Sequence, residues 1–245
     1  MTSETYETLS NDVEMSFSEH VEEFRQRLFF SFAMYVVISL GCFYFLNSIV
    51  EIVKSPAVGV KFFQFAPGEY FFTSIKLVLY CGLVLASPLF IYQVLLFLIP
   101  GMTYQEQKIL IPVLLASYVL FGFGLIFSYK LLIPSALKFF LQYGANVVDP
   151  LWSFEQYFEF FSFLAFTCGL GFQIPIVQLI LCLTNVIKPQ NLIDSWRYVI
   201  LGSTILAAVL TPTVDPVTQL FLSIAFLGLY CTGYILAVAI KGNAN

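Results

Sequence analysis

Long apolar runs alternate with short polar segments along the chain from about residue 28 onward. An apolar run of roughly 20 residues is long enough to cross a bilayer as an α-helix. By this measure the sequence predicts six spans, at about residues 28–50, 77–99, 109–133, 158–183, 198–210 and 217–240. The pattern therefore predicts an all-α integral membrane protein with six transmembrane helices, and the even number of spans places both termini on the same side.

The fifth predicted span is short, because it holds only thirteen residues, 198–210, before Thr211-Pro212. At ~1.5 Å per residue a helix of that length covers roughly 20 Å, whereas the hydrocarbon core is about 30 Å thick. Three interpretations stay open. Flanking residues such as Trp196 and Tyr198 extend the helix, the bilayer thins beside it, or neighbouring helices shield an ordinary short span.

The last polar segment before the first span, residues 16–28, has the pattern of a short helix. Its apolar residues lie on one stripe of a 3.6-residue helix, at Phe17, Val21, Phe24 and Leu28. Ser16 and Glu19 have the spacing of a capping box, and Glu23 stands four residues before Arg27, the favourable order for a helical ion pair. The segment predicts an amphipathic helix that lies on the membrane surface and runs into the first span. The alternative is a solvated helix that only anchors that span.

The composition supports a membrane protein and excludes an ordinary soluble domain. The chain has 245 residues, 59% hydrophobic and 11% charged, whereas a soluble domain carries about 25% charged residues. The first 23 residues hold seven acidic residues and no Lys or Arg. Such a tail suits a basic partner, with a disordered, solubilising tail as the alternative. We expect an acidic, disordered tail at 1–15, a six-span domain at 16–240 and a short C-terminal tail at 241–245.

The sequence offers little for enzymatic or metal chemistry. The five cysteines lie in apolar runs without a Cys-x-x-Cys pair, which is typical of buried hydrophobic residues, and the single histidine has no clustered ligands. The chain has no Gly-x-Ser-x-Gly, His-Glu-x-x-His, P-loop or intramembrane Asp pair, and His20 has no nucleophile nearby in sequence. The sequence therefore predicts no cofactor, no metal and no enzyme activity, and it disfavours an intramembrane hydrolase.

A secondary transporter of a small solute is a further alternative. Such proteins are expected to show structural repeats and interrupted helices that converge at the midplane of the bilayer. The chain shows one such interruption, at residues 173–175, and no repeat with a fixed period. The pattern therefore favours a different kind of membrane protein.

Two carboxylates lie on the same side of the membrane in a six-span topology: Glu23 before the first span, and Glu106 in the hairpin between the second and third. Guanidinium groups fit such a pair best, since a planar fork binds a carboxylate bidentately. Exposed ion pairs contribute about 0–1 kcal/mol each, whereas micromolar binding needs about 8 kcal/mol. A ligand recognised here must therefore also bury apolar surface, as a peptide with a hydrophobic segment does. The alternative is that Glu106 pairs locally with Lys108 or with a lipid headgroup.

Gln173 is a polar residue near the middle of the fourth predicted span, in the sequence Gly171-Phe-Gln-Ile-Pro175. A polar side chain at this depth requires a partner or a water-lined cavity. Pro175 removes a backbone donor and frees a carbonyl near Gly171. Gln173 is therefore either a site of contact with a partner or the group that satisfies this carbonyl.

The link between the fifth and sixth spans, residues 211–216, is another polar candidate, with Pro212 near its start and Gln219 just inside the sixth span. Asp215 has the residue type and position of an N-cap, and Pro216 suits the first helical position. Capping is the interpretation that the residues favour for Asp215. Contact with a partner helix is the alternative for the link and for Gln219.

A series of short motifs follows in a specific order along the chain. They are Met15-Ser-Phe-Ser-Glu-His-Val-Glu-Glu-Phe-Arg-Gln-Arg-Leu28, Ser55-Pro56, Phe71-Phe72-Thr-Ser-Ile-Lys76, Leu85-Ala-Ser-Pro88, Tyr92-Gln93, 122–129, Phe172-Gln-Ile-Pro175 and Leu210-Thr-Pro212 with Asp215. In this order they resemble the TatC family, the polytopic core of the twin-arginine protein translocase, from about residue 15 to the end. Segments 59–69, 143–145 and 196–199 are similar to the cyanobacterial and plastid branch. The high Phe content and the absence of a transit peptide are typical of a plastid-encoded copy, with a bacterial one as the alternative.

The resemblance implies a receptor function. TatC-like proteins bind the paired arginines in the signal peptides of folded precursors on the cytoplasmic or stromal face. They act with single-span TatA/TatB-type partners and the protonmotive force, without nucleotide. The family's recognition carboxylates fall on Glu23 and Glu106, its N-terminal arginine on Arg25, and a residue that lines the same area on Phe97. Self-association is expected, and neither a cofactor nor nucleic acid is.

The resemblance also implies the shape and the location of the protein. It predicts a glove-like fold with short fifth and sixth helices and with both termini on the cytoplasmic or stromal side. Charge alone does not orient the chain, since six Lys and Arg residues fall on the N-terminal side and five on the other. Pro56 matches a loop proline and Asp215 an acid of the opposite face, and Pro175 and Pro212 are expected to be structural. Many bacterial members carry Glu where this chain has Gln173. We expect a multi-pass protein of the plastid thylakoid membrane, with a cyanobacterial thylakoid or plasma membrane as the alternative.

Overall fold

The structure is a computed structural model that describes residues 17–98, 104–143, 151–184, 186–210 and 216–242. The predicted tail 1–15, the predicted capping residue Ser16 and the link residues Pro212 and Asp215 lie outside the described residues. Glu106 belongs to a described helix, but its side chain is outside the described part of the chain.

The described chain is built almost entirely of α-helices. They are α1 (Phe17–Tyr44), α2 (Leu46–Lys54), α3 (Glu69–Leu98), α4 (Tyr104–Phe127), α5 (Ile133–Tyr143), α6 (Phe154–Gly171), α7 (Ile174–Leu183), α8 (Pro189–Asp194), α9 (Trp196–Leu210) and α10 (Pro216–Gly242). A π-helical segment, Ser128–Leu132, joins α4 to α5. Two short strands, β1 (Phe62–Phe63) and β2 (Trp152–Ser153), pair in parallel.

Within the described residues, five helical stretches are long and apolar enough to cross a membrane. They are Ser18–Tyr44, Glu69–Val94, Ile111–Tyr143, Phe154–Leu183 and Pro216–Ala239. α9 is a shorter apolar helix of 15 residues, roughly 22 Å long at ~1.5 Å per residue. It begins at Trp196, two residues before the predicted span, so flanking residues do extend it. The all-α membrane fold is confirmed, while the count of six crossings stays a prediction.

The first helix differs from the sequence prediction in its end. Residues 17–44 form one unbroken helix, so the polar segment runs directly into the first span, as predicted. Its location on the membrane surface, with a solvated helix as the alternative, stays a prediction. The span ends earlier than residue 50, because the Phe45 N–H bonds to the Cys42 carbonyl (3.1 Å) and tightens the turn before α2.

α3 begins at Glu69, two turns before the predicted start at residue 77. The carboxylate of Glu69 accepts hydrogen bonds from the backbone N–H groups of Phe65 (2.7 Å) and Ala66 (3.2 Å). Ser153 Oγ donates to the other carboxylate oxygen. These contacts order the polar residues before the apolar run, so the helix starts among them.

Pro88 lies in the interior of α3 without ending it. A proline has no N–H to donate to the carbonyl four residues earlier, which here belongs to Val84. Ser87 Oγ donates to that carbonyl at 2.7 Å. Because the freed acceptor is satisfied locally, the helix continues through the proline to Leu98.

The end of the bundle that carries β1 and β2, here called the strand end, is held together by polar contacts. Ser153 caps α6, since its Oγ accepts from the N–H groups of Glu155 (3.1 Å) and Gln156 (3.5 Å). Lys76 Nζ lies 2.6 Å from a carboxylate oxygen of Glu155 and 2.7 Å from one of Glu159. These contacts fix the start of α6 against α3.

Pro56 lies in the turn that follows α2. The Ala57 N–H donates to the Lys54 carbonyl (3.0 Å), and the Val60 N–H donates to the Ala57 carbonyl (3.2 Å). The turn returns the chain toward β1. A proline suits such a turn because its φ is already restricted. This position fits the predicted structural role of Pro56, which stays a prediction.

α1 packs along α3 in the opposite direction. Tyr35 Oη donates to the Leu79 carbonyl (3.2 Å), and a Cβ atom added at Gly82 would lie 2.9 Å from the Ser39 Cα. Only glycine therefore permits this approach of the two helices. The packing brings the start of α1 and the last turns of α3 together at the end opposite the strands, here called the Glu23 end.

Candidate functional site

At the Glu23 end, one face of α1 lies against the last turns of α3. Four residues of α1 share this face because they recur at helical spacing, namely His20, Glu23, Phe24 and Arg27. Two residues of α3, four positions apart, complete it: Gln93 and Phe97. We call these six residues the α1–α3 face.

Glu23 and Arg27 form the predicted ion pair, and the pair also reaches α3. Arg27 Nε donates to Glu23 Oε1 at 2.9 Å, and Arg27 Nη2 donates to the same oxygen. Arg27 Nη1 donates to Gln93 Oε1 at 3.3 Å. The side chains of Glu23 and Arg27 are only 20% and 25% exposed. Glu23 Oε2 is buried and has no hydrogen-bond partner among the described residues, so one half of the carboxylate is engaged and the other is not.

Phe97 supplies apolar surface next to this carboxylate. Its ring stacks on His20 with a centroid distance of 4.2 Å, and it meets Phe24 at 5.3 Å in a tilted arrangement. The structure therefore brings Phe97 and Glu23, two of the predicted site residues, to the same face. A charged group and an aromatic cluster side by side fit a ligand that carries both a cation and an apolar segment.

Arg25, another predicted site residue, does not lie on the α1–α3 face. Arg25 is two positions from Glu23 on α1 and points to another side, where its side chain is 75% exposed and pairs with Glu22 at 2.6 Å. The structure does not bring Arg25 to the α1–α3 face.

Glu106 belongs to the first turn of α4, which follows α3 after a short connection, so its backbone lies at the Glu23 end. The Glu106 side chain lies outside the described part of the chain, so its contact with the ligand of Glu23 stays a prediction.

His20 and Gln93 are the members of the face that the sequence analysis did not select. His20 was considered only as a possible base, and Gln93 only as part of a motif. The signal that could have found His20 is its spacing of three residues from Glu23 on the same helix. Gln93 had no such signal, because its contact with Arg27 joins residues 66 positions apart.

Gln173 lies at a break between two helices. α6 ends at Gly171 and α7 begins at Ile174. The Gln173 side-chain amide donates to the Ser117 carbonyl (2.9 Å) on α4, and its oxygen accepts from Ser117 Oγ. The expectation that Gln173 satisfies a carbonyl near Gly171 is therefore wrong. Pro175 lies in the first turn of α7, where its missing N–H is not needed. The side-chain amide of Gln173 is therefore available to bond to Ser117 of α4.

The described part of α10 begins at Pro216, which the sequence predicts as the first helical position. Asp215, the predicted cap, lies outside the described residues. Gln219 is partly exposed in the first turn of α10. The neighbouring part of the interface with α9 is polar, since Thr204 Oγ1 and Ser223 Oγ lie 3.4 Å apart. A polar residue beside this interface fits the predicted contact with a partner, which stays a prediction.

Metal chemistry has no candidate in the described ranges, where no cluster of three or more His, Cys, Asp or Glu side chains could hold an ion. The α1–α3 face combines a carboxylate, a guanidinium and aromatic rings. Such a face can bind and orient a ligand.

Comparison with known proteins gives consistent similarities. The profile of one family, described as "Sec-independent protein translocase protein (TatC)", matches residues 19–224. A tatC-like protein of Guillardia theta, ycf43, is 49% identical over 232 residues, which are 95% of this chain and 80% of that protein. The Sec-independent protein translocase protein TatC of Synechocystis sp. is 47% identical over 223 residues, 91% of this chain and 88% of that one. The chloroplastic TATC of Pisum sativum is 46% identical over 229 residues, 93% of this chain and 65% of that one.

The fold is also similar to a solved structure. The crystal structure of the twin-arginine translocase receptor TatC matches with a TM-score of 0.78 and 32% sequence identity. The match covers 91% of this chain and all of the other, 100%. Sequence and fold therefore agree on one family over nearly the whole chain.

Proposed function

The chain belongs to the TatC family, and on that premise we propose that it is the core receptor subunit of a twin-arginine translocase. In this role it binds the twin-arginine signal peptides of folded precursor proteins at the Glu23 end. The observation that carries the proposal is the α1–α3 face, where the partly buried carboxylate of Glu23 lies beside the rings of Phe24 and Phe97. A signal peptide offers the two matching groups, a guanidinium and an apolar segment.

The state of Glu23 explains why arginine is the group recognised. A buried polar atom left without a partner costs about 1–3 kcal/mol. Glu23 Oε2 is such an atom among the described residues. A guanidinium of the ligand either donates to this oxygen or exchanges with Arg27 on Oε1. A lysine ammonium is a more strongly hydrated point charge and cannot bind in the bidentate geometry.

Glu106 is the second carboxylate of the proposed site and receives the second arginine. Its place in the first turn of α4 puts it at the same end of the bundle as Glu23. Arg25, exposed and paired with Glu22, contributes from outside the α1–α3 face, where it contacts the acidic or polar residues of a precursor. Phe97 packs against the apolar segment of the signal peptide.

The partners, the orientation and the driving force follow from the same premise. The N- and C-termini lie on the stromal or cytoplasmic side, six segments cross a thylakoid membrane, and transport uses the protonmotive force without catalysis by this chain.

Single-span TatA/TatB-type proteins dock through the polar positions Gln173, Asp215 and Gln219. Pro175 and Pro212 shape the helix ends near these positions. Copies of the chain associate within the receptor complex.

The test is the binding of a labelled twin-arginine signal peptide to the purified protein in lipid nanodiscs. The same peptide with both arginines changed to lysine is the reference. We expect at least about tenfold weaker binding of the lysine peptide, equivalent to ~1.4 kcal/mol. Glu23→Gln and Glu106→Gln should each remove this preference while the protein stays folded.

Glu51→Gln is the matched control, because Glu51 is an exposed carboxylate at the strand end. It should bind both peptides like the unchanged protein. A preference for arginine that survives both Glu23→Gln and Glu106→Gln would refute the assigned site but not the receptor function. Equal binding of both peptides by the unchanged, folded protein would refute arginine recognition by this chain alone.

A further inference from the structure

A cavity of about 550 Å³ lies between α2, α3, α4, α6 and the π-helical segment. This volume falls within the range of about 300–1,000 Å³ that is typical of ligand sites. Its floor is buried, at Val53, Phe161 and Ala165, and its rim is exposed, at Ile52, Leu85 and Ile126. Because α3 and α4 belong to stretches apolar enough to cross the bilayer, this rim opens toward lipid chains rather than toward water.

Lys130 is the charged residue at the edge of this cavity. It lies three residues before residue 133, the predicted end of the third span. Its neighbour Tyr129 contacts Ile52 of α2 and Ser55 of the turn after it, on the strand side of the bundle. Lys130 therefore lies at the level of the lipid headgroups on the strand side, and the apolar part of the cavity extends from it toward the bilayer centre.

The π-helical segment places Lys130 at this edge. In it the Ile133 N–H bonds to the Ser128 carbonyl, five residues earlier, so one turn is wider than in an α-helix. Tyr129 Oη donates to the Ile52 carbonyl of α2 (3.0 Å) and also contacts Ser55 Oγ. The hydrogen bond from Tyr129 to Ile52 therefore connects the widened turn to α2 at the edge of the cavity. Single π-helical turns inside α-helices occur frequently at functional sites.

The charge of Lys130 is not balanced by the described part of the protein. Its ammonium lies 5.6 Å from the ring centroid of Tyr129, and no described carboxylate forms an ion pair with it. Lys76, on the same side of the bundle, is by contrast held between Glu155 and Glu159. A lysine at the level of the headgroups without a protein counterion is suited to contact an anionic lipid headgroup.

We propose that this cavity binds one acyl chain of an anionic membrane lipid, whose phosphate or sulfonate headgroup contacts Lys130. The ligand matches the site in three respects: an apolar chain fits the apolar cavity, the opening faces the bilayer, and the negative headgroup lies at the height of the ammonium. A bound lipid of this kind would fill the space between α2 and the rest of the bundle. The inference does not depend on signal-peptide binding, which occurs at the opposite end.

A transmembrane helix of a partner protein is a less suitable occupant. It would cover Lys130 with apolar side chains and leave the ammonium buried without a counterion, which is unfavourable. An uncharged lipid would fill the cavity equally well but would leave Lys130 without an anion. The charge at the rim is therefore the feature that selects the ligand.

The experiment is native mass spectrometry of the purified full chain, delipidated in detergent and then titrated with phosphatidylglycerol or phosphatidylcholine. We expect one phosphatidylglycerol to bind first and more tightly than phosphatidylcholine. Lys130→Gln should weaken that first binding about fivefold, the effect of one lysine beside an anionic lipid surface. Lys138→Gln is the matched control, because Lys138 is an exposed lysine of the adjacent α5 that does not line the cavity.

A second variant tests the apolar part of the site. Leu85→Trp places a larger side chain at the exposed rim, so it should block the cavity without disturbing the buried core. We expect it to lose the first lipid for both headgroups, with thermal unfolding unchanged. Equal first binding of the two lipids, unchanged preference in Lys130→Gln, or unchanged binding in Leu85→Trp would each overturn the proposal. Crosslinking of a partner helix to residue 85 in competition with phosphatidylglycerol would overturn the choice of occupant.

Discussion

The two ends of the bundle both hold carboxylates, but they use them differently. At the strand end, Glu69 accepts two backbone N–H groups and the Ser153 hydroxyl, and two further carboxylates share Lys76. At the Glu23 end, the one carboxylate of the α1–α3 face has an oxygen held by Arg27 and another with no described partner. The strand end is satisfied internally, whereas the Glu23 end is only half satisfied.

This difference separates a structural use of charge from a binding use. A carboxylate whose oxygens are already paired within the protein gains little from a ligand, because a new contact must replace an old one. Glu23 has an oxygen whose missing partner a ligand can provide. Changes to the paired carboxylates of the strand end should therefore reduce stability and leave binding unchanged, and changes to the Glu23 carboxylate should mainly affect binding.

The largest effect is expected at the close approach of α1 and α3 near the middle of α3. Gly82→Val would place a side chain within 2.9 Å of the Ser39 Cα, and overpacking of this kind costs about 1–3 kcal/mol. The shift of α1 against α3 should also weaken signal-peptide binding. Thermal unfolding in detergent and peptide binding in nanodiscs measure the two effects.

Gly41→Val is the matched control for this variant. Gly41 lies in α1, the helix that faces Gly82, but nothing is within 4 Å of a Cβ atom added there. It carries the same change in helix propensity without the clash. If Gly82→Val and Gly41→Val were equally stable and bound peptide equally, the close approach of α1 and α3 would not position the site.

A smaller effect is expected at the strand end. Ser153→Ala removes the cap of α6 and one hydrogen bond to Glu69, and loss of an N-cap costs about 0.5–2 kcal/mol. We expect a lower free energy of unfolding and unchanged peptide binding. Ser162→Ala is the control, because Ser162 lies on the same helix and bonds only to a backbone carbonyl of its own turn, that of Glu159. Weaker peptide binding by folded Ser153→Ala would contradict the separation of the two ends.

The smallest effect concerns the resident guanidinium. Arg27→Gln removes the charge that competes for Glu23 Oε1, and partly exposed pairs contribute up to about 1 kcal/mol. We therefore expect twin-arginine peptide binding to become tighter, by up to about fivefold. Arg197→Gln is the control for the loss of one positive charge, since Arg197 is exposed at the start of α9. Weaker binding by Arg27→Gln would show that Arg27 instead holds Glu23 in its binding geometry.

Features that depend on nearby residues were predictable from the sequence. The Glu23–Arg27 pair follows from a short spacing along one helix, and it is confirmed. The all-α membrane fold followed from the length of the apolar runs, because each run must satisfy its own backbone in lipid. The position of Phe97 near Glu23 came from the family resemblance rather than from spacing, since the two residues lie on different helices.

Features that depend on contacts between helices were not predictable. The pattern around Gln173 left open a partner contact or a local carbonyl near Gly171, but the tertiary structure pairs Gln173 with Ser117 on another helix. The sequence analysis started the second span at residue 77, but contacts with Ser153 and with the preceding loop extend α3 back to Glu69. The π-helical turn at Lys130 left no recognisable pattern in an apolar run.

The sequence alone thus determined the class of protein, the approximate spans and the local ion pairs, because hydrophobic length and helical spacing act over a few residues. Only the tertiary structure decided where the helices break, which carboxylates are satisfied and where a cavity stays open. The reason is that each polar group in a membrane bundle takes whichever partner packing brings within hydrogen-bond distance. For Gln93 and Gln173 that partner lies on another helix, at a separation along the chain that no short pattern records.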